Sequence, residues 1–149
     1  MKRGTVGWLL VVLQFVLLLV LILLPWRTPT ALSIVVGLVL VVAGALLGLV
    51  AGRRLGRALT PTPVPISGAG LRTDGAYRFV RHPIYTAVLL MVAGYVIAVG
   101  SMWTAAGAVV LLGFFVLKSR WEDGLLREEY GEEWTAWAAR TGALVPRLR

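Results

Sequence analysis

Long apolar stretches alternate with short polar ones along the chain. Four stretches contain no charged side chain, at residues 5–24, 31–50, 84–100 and 103–117. At about 1.5 Å per residue, the first two are long enough to cross a hydrocarbon layer of about 30 Å, and the last two fall short of it. This pattern predicts an all-α integral membrane protein with four transmembrane helices. The lengths suit one domain over residues 1–149.

The polar segments between and after these stretches predict the rest of the architecture. Residues 51–83 read as a cytoplasmic loop, in which alternating prolines between Thr60 and Pro65 indicate a polyproline-like connection along the surface. Residues 118–149 read as a cytoplasmic tail that forms an amphipathic helix. Six of the seven acidic residues lie in this tail, and Pro146 ends its ordered part.

Composition supports the membrane class and excludes several kinds of site. The chain is 58% hydrophobic, and its mean hydropathy is +0.84. It has no cysteine, which excludes a disulfide framework, a thiolate nucleophile and a zinc–thiolate site. The single histidine, His82, excludes a histidine-rich metal centre.

The net charge of +8 predicts an orientation and not a nucleic-acid partner. With a cytoplasmic amino terminus, four spans place fourteen of the fifteen basic residues inside and only Arg27 outside. This is the asymmetry of the positive-inside rule, so both termini are expected in the cytoplasm. High alanine, glycine, valine and arginine usage suggests the cytoplasmic membrane of a bacterium.

A glycine stripe marks one face of the second span. Gly44, Gly48, Gly52 and Gly56 recur every four residues, so they share a helix face that another helix can approach closely. The stripe predicts packing against a helix of the same protomer, or a homodimer through Gly44, Gly48 and Gly52. The alternative is that these glycines are ordinary residues of a membrane helix and have no packing role.

Two polar segments of the chain are expected to meet at the cytoplasmic ends of the membrane helices. The segment from Tyr77 to Tyr85 carries His82 just before Pro83, which is expected to begin a helix because its fixed φ suits the first turn. The segment from Lys118 to Asp123 puts a cation and two carboxylates close to the end of the fourth span, where an unpaired charge is costly. Together they suit a soluble zwitterionic ligand that meets a lipid-like one. A lone Arg81 could instead reach lipid headgroups.

These segments resemble the isoprenylcysteine carboxyl methyltransferase family. The resemblance rests on Gly75-x-Tyr77-x-x-x-Arg81-His82-Pro83-x-Tyr85, then an apolar hairpin, then Glu122-Asp123-x-x-Leu126-x-x-x-Tyr130-Gly131-Glu132-Glu133-Trp134. The related phospholipid N-methyltransferases share the Arg-His-Pro and paired-carboxylate pattern. The resemblance covers about Leu71 to Pro146. Asp123 stands where a second glutamate is usual, and Thr86-Ala87 where Tyr-x-Gly is frequent.

The resemblance implies S-adenosyl-L-methionine as methyl donor, bound on the cytoplasmic side, and a lipophilic or lipidated methyl acceptor. We assign catalytic roles to Lys118 and Arg81. The residues implied to bind the cofactor are Gly70, Leu71, Arg72, Tyr77, His82, Pro83, Ile84, Tyr85 and Glu122. Lys118 matches a basic position that handles the substrate in eukaryotic members.

Chemistry favours a carboxylate acceptor and leaves other functions open. A carboxylate nucleophile needs a cation to orient it and no general base, which Lys118 or Arg120 would provide. An amine acceptor, as in a phospholipid-type N-methyltransferase, would need His82 or Glu122 to take its proton. A membrane reductase that binds NAD(P)H in a similar small helical fold and a non-catalytic membrane scaffold remain as alternatives.

Overall fold

Four α-helices follow one another along the part of the chain that the structure describes. A computed structural model describes residues 2–66 and 68–147, so Met1, Ser67, Leu148 and Arg149 lie outside the described residues. The helices, with two short 3₁₀ turns between the second and the third, are α1 (Arg3–Leu23), α2 (Ala31–Leu55), the turns Gly56–Ala58 and Gly75–Arg78, α3 (Pro83–Val99) and α4 (Met102–Ala138). The prediction of an all-α protein with four helices is confirmed.

Three of the helices are long and apolar enough to cross a membrane, namely α1, α2 and α4. The third helix is apolar too, but at 17 residues it is shorter than these three. The chain is therefore an integral membrane protein. Many large apolar side chains on α1 and α2 are exposed on the protein surface, which is the face that a lipid bilayer covers.

The helix boundaries follow the local sequence. Thr30 and Ser33 form a capping box at the start of α2, where each side chain accepts a hydrogen bond from the other residue's backbone N–H. Pro83 occupies the first turn of α3, as predicted. Gly100 ends α3 with a φ of 57°, and the Ser101 side chain caps the start of α4.

Close backbone contact joins α2 to α3. A Cβ atom placed on Gly37 would lie 2.5 Å from the carbonyl oxygen of Gly94, and one on Gly94 would lie 2.5 Å from the carbonyl oxygen of Gly37. Gly44 meets the backbone and side chains of α3 in the same way, and Gly48 faces Ala87. Part of the predicted stripe thus packs within one protomer. The structure does not show the predicted homodimer.

Helices α1 and α4 run antiparallel in a regular register. Arg3 pairs with Glu128 at 2.5 Å, and Gln14 bonds Lys118 at 2.6 Å. Gln14 lies eleven residues beyond Arg3, or about 16 Å along the helix axis at 1.5 Å per residue. Lys118 therefore lies at the depth of the middle of α1, well inside the span and not at its end.

Two predicted boundaries differ from the structure. The predicted tail helix is a direct continuation of the fourth span, because no proline stands between residues 117 and 131 and the polar residues keep helical dihedrals. Its one irregular position is Gly131, with a φ of 54°. The second span also continues as a helix to Leu55, so the loop begins later than residue 51.

Candidate functional site

A cavity of about 220 Å³ lies between α1, the loop after α2, the start of α3 and the middle of α4. All eleven residues predicted for the site contribute to its wall, namely Gly70, Leu71, Arg72, Tyr77, Arg81, His82, Pro83, Ile84, Tyr85, Lys118 and Glu122. The two polar segments therefore meet in space. Which of these residues touch a cofactor stays a prediction.

Arg81 donates hydrogen bonds to a carboxylate and to backbone carbonyls. Its Nε lies 3.1 and 3.2 Å from the two carboxylate oxygens of Asp123, and its Nη2 lies 2.8 Å from Oδ2. Its Nη1 donates to the carbonyl oxygen of Thr141 at 2.7 Å. The guanidinium also lies 5.7 Å from the Trp134 ring centroid. Its donors are thus engaged by the protein, which suits a positioning role.

His82 is buried and shares the carboxylate of Asp123. Its Nε2 lies 2.9 Å from Asp123 Oδ1. An ionised carboxylate only accepts hydrogen bonds, so Nε2 is the nitrogen that carries the proton in this contact. Nδ1 then points toward Glu122, whose Oε2 is 3.6 Å away. Asp123 therefore fixes both the ring orientation and the tautomer of His82.

Tyr85 links the two polar segments. Its hydroxyl donates to Glu122 Oε2 at 2.6 Å. Its ring stacks on the His82 ring with centroids 5.3 Å apart and an interplanar angle of 8°. His82 is the residue just before α3, and Tyr85 lies in the first turn of that helix. The contact holds the Glu122 carboxylate at the cavity wall.

Lys118 is a buried cation inside the span. Only 3% of the residue is exposed. Its ammonium lies 4.9, 5.9 and 6.0 Å from the ring centroids of Tyr85, Phe114 and Phe115. It donates to Gln14 Oε1 at 2.6 Å. Aromatic faces and one amide therefore replace the water that a buried ammonium loses.

Tyr77 supplies a hydroxyl that stays protonated. Burial raises the pKa of the Tyr77 phenol above its ordinary value, and the negative charge of Glu122 raises it further. The indole N–H of Trp137 donates to the Tyr77 carbonyl at 3.1 Å, which fixes this part of the loop against α4. Tyr77 can therefore donate a hydrogen bond to a ligand but cannot serve as a base at neutral pH.

The proline-rich segment forms one wall of the cavity. Sequence reasoning placed it on the surface, but residues 60–66 line the cavity, and Pro63 is buried. The segment also packs on α1, where a Cβ atom on Gly7 would lie 3.2 Å from side-chain atoms of Thr62 and Val64. Three prolines stiffen the wall, because each of them fixes its own φ.

Four successive backbone carbonyls accept hydrogen bonds from the Arg-His-Pro loop and the start of α3. Those of Thr141, Gly142, Ala143 and Leu144 accept from Arg81 Nη1 (2.7 Å), Arg81 N (2.8 Å), His82 N (3.0 Å) and Thr86 Oγ1 (2.6 Å), respectively. We call residues 141–144 the carbonyl clasp. It accepts from the backbone N–H groups of Arg81 and His82, which precede α3 and therefore have no partner within that helix.

Besides the proline-rich wall, sequence reasoning missed two contributors to the site. Gln14 was visible as the one interruption of an apolar run, but its partner Lys118 lies 104 residues away. The carbonyl clasp carried no side-chain signal at all. The other four glutamates of the tail, Glu128, Glu129, Glu132 and Glu133, are exposed, as expected of a solvated helix face.

The comparisons with known proteins each match methyltransferases. A sequence model of the phospholipid methyltransferase family matches residues 32–133. The chain is 31% identical over 115 residues to probable protein-S-isoprenylcysteine O-methyltransferases of Oryza sativa subsp. indica and subsp. japonica, a match that covers 74% of this chain and 60% of each relative. It is 31% identical over 77 residues to protein-S-isoprenylcysteine O-methyltransferase B of Arabidopsis thaliana, covering 51% of this chain and 39% of that protein. The matched part thus spans about 60% of the length of the rice relatives.

Proposed function

We propose a reaction for this chain, which belongs to the phospholipid methyltransferase family: it transfers a methyl group from S-adenosyl-L-methionine to the carboxylate of a lipophilic acceptor. The observation that carries the proposal is the buried ammonium of Lys118 on the wall of a cavity that also presents a carboxylate, two arginines and three phenols. The relatives are named for methylation of isoprenylcysteine, which carries a carboxylate.

The cavity wall fits the donor's chemistry. S-adenosylmethionine has an ammonium and ribose hydroxyls that need acceptors, a carboxylate that needs a cation, and an apolar base. Glu122 would accept from the hydroxyls or the ammonium, Arg72 would pair with the carboxylate, and Leu71 and Ile84 would contact the base. When bound, the cofactor supplies an electrophilic methyl group on a sulfonium. The Tyr85 hydroxyl holds Glu122 in the orientation that this binding requires.

Lys118 would orient the acceptor. A carboxylate is already ionised at neutral pH, so no group of the protein has to remove a proton from it. The ammonium would hold one carboxylate oxygen while the other faces the methyl group, and alignment is the main contribution that such a site makes. Arg81 would act through Asp123 and the carbonyl clasp, and not by contact with the acceptor.

The depth of Lys118 suits an acceptor that resides in lipid. Its partner Gln14 lies at the middle of α1, so a headgroup must descend into the protein to reach the ammonium while its chain remains in the bilayer. The loop of residues 56–82 would admit the soluble cofactor from the cytoplasm. In this proposal α3 completes a fourth crossing, both termini face the cytoplasm, and residues 1–149 form one domain.

Ligand binding by detergent-solubilised protein tests the cofactor part. Titration with S-adenosylhomocysteine should show weaker binding to His82→Ala and Glu122→Gln by about ten- to hundredfold, the cost of one hydrogen bond to a charged group. Glu132→Ala, on the exposed face of α4, is the matched control and should bind normally. Normal affinity in both site variants would place the cofactor elsewhere, and binding of NADPH in its place would support a reductase.

Turnover tests the acceptor part. Wild-type protein should methylate an S-prenylated cysteine with a free carboxylate and not its carboxamide. Lys118→Met should retain S-adenosylhomocysteine binding and lose most of this turnover. The family description makes a phospholipid amine the second candidate, so phosphatidylethanolamine is the comparison substrate. Methylation of that amine, without methylation of the prenylated carboxylate, would overturn the proposed acceptor.

A further inference from the structure

Gln14 is the one side-chain amide in the apolar helix α1, and it lies on the wall of the cavity. The region matched by the family comparison begins at residue 32, so α1 lies outside it. The amide sits at the depth of the middle of the span, where an uncompensated polar group is costly. The amide therefore needs a hydrogen-bond partner, and Lys118 Nζ donates to Gln14 Oε1 at 2.6 Å.

The pair presents hydrogen-bond donors and no vacant strong acceptor. Gln14 Oε1 is the one hydrogen-bond acceptor that residues 2–66 and 68–147 provide to Lys118, whose ammonium carries three N–H groups. Two of these remain after the bond to Gln14, and the Gln14 amide nitrogen adds two more. The three aromatic rings around Lys118 offer only their faces. A negatively charged oxygen matches this set, and an amine does not.

We infer that Gln14 is a positioning and specificity-determining residue, which turns the Lys118 ammonium toward an anionic acceptor and excludes a cationic one. This inference rests on the proposed function. Without the amide, the described residues offer the ammonium no hydrogen bond that fixes its direction between the three rings. Helix α1 thereby becomes part of the acceptor site, although it contributes none of the residues implied for the cofactor.

Three variants separate this role from a merely structural one. Gln14→Leu removes the amide. Gln14→Glu keeps an acceptor for Lys118, and so keeps the fold, but it removes the two donors and adds a negative charge. Leu13→Ala, on the lipid-facing side of the same turn with 46% of the leucine exposed, is the matched control. The probe is an S-prenylated cysteine with a free carboxylate, and both its turnover and its binding in the presence of S-adenosylhomocysteine are measured.

Gln14→Leu and Gln14→Glu should each raise KM for the carboxylate acceptor about ten- to hundredfold, the effect of losing a hydrogen bond to a charged group. Both should bind S-adenosylhomocysteine as the wild type does, and Leu13→Ala should match the wild type throughout. Unchanged KM in Gln14→Glu would overturn the inference while the proposed function stands.

The two proposals fail in different ways. Wild-type protein that binds the prenylated carboxylate without methylating it would refute the proposed reaction, and the binding comparison would still decide the role of Gln14. Wild-type protein that neither binds nor methylates this acceptor would overturn both. Equal loss of cofactor and acceptor binding in Gln14→Glu would mean that the residue acts through folding, which also overturns the inference.

Discussion

The ion pair between Arg81 and Asp123 gives the sharpest prediction of stability. The two side chains are only 14% and 12% exposed, and the closest N–O distance is 2.8 Å. Replacement of Asp123 by asparagine keeps the shape of the side chain but removes its charge. The guanidinium of Arg81 is then buried without a counterion, and His82 loses a charged acceptor.

Removal of one partner from a buried ion pair typically costs about 3–5 kcal/mol of unfolding free energy. We expect about 3 kcal/mol for Asp123→Asn, because the Thr141 carbonyl still accepts from Arg81 and some water reaches the pair. The measurement is reversible unfolding in mixed micelles with rising dodecyl sulfate, followed by tryptophan fluorescence. Affinity for S-adenosylhomocysteine should fall with stability, because His82 is no longer held in one tautomer.

The matched control is the ion pair between Arg3 and Glu128. Its N–O distance of 2.5 Å is shorter, but the side chains are 64% and 59% exposed. Glu128→Gln should therefore cost less than about 1 kcal/mol, because water screens an exposed pair. If the two substitutions cost the same, burial does not set the strength of these pairs, and the reasoning about Asp123 is wrong.

Two further predictions concern packing and orientation. Gly37→Ala should destabilise the protein, because the new methyl group would lie 2.5 Å from a carbonyl oxygen of α3, and a forced shift of packed helices costs about 1–3 kcal/mol. Gly113→Ala on α4 meets no atom within 4 Å and should stabilise the protein by up to about 1 kcal/mol through helix propensity. The same sign of change for both would refute the close-contact argument. A reporter fused to the carboxyl terminus should be active only in its cytoplasmic form, and periplasmic activity would refute the proposed orientation.

Much of the fold could be predicted from the sequence because membrane helices carry a strong local signal. Apolar length alone located four helices, and Pro83 fixed the start of α3. The end of the fourth span was harder to predict. A soluble helix and a membrane helix have the same backbone, so a change from apolar to polar side chains at Lys118 does not interrupt α4.

The site could be predicted in part, for a similar reason. The resemblance of two motifs identified the family, which the family match confirms, and the predicted residues share one cavity. The contribution of Gln14 depends on the register of α1 against α4, which no local pattern encodes. The carbonyl clasp depends on backbone atoms, which every sequence possesses.

The carbonyl clasp has a consequence for the order of events during synthesis. The loop from Arg81 to Thr86 emerges from the ribosome about sixty residues before Thr141 to Leu144, which complete it. Through that interval the loop N–H groups lack their partners, so a nascent chain in which all four helices have formed still has no finished site. A message cut short just after α4 would yield a protein that inserts and keeps the contacts of Asp123 with Arg81 and His82, but lacks the carbonyl clasp. Full binding of S-adenosylhomocysteine would therefore require a chain that extends past residue 144.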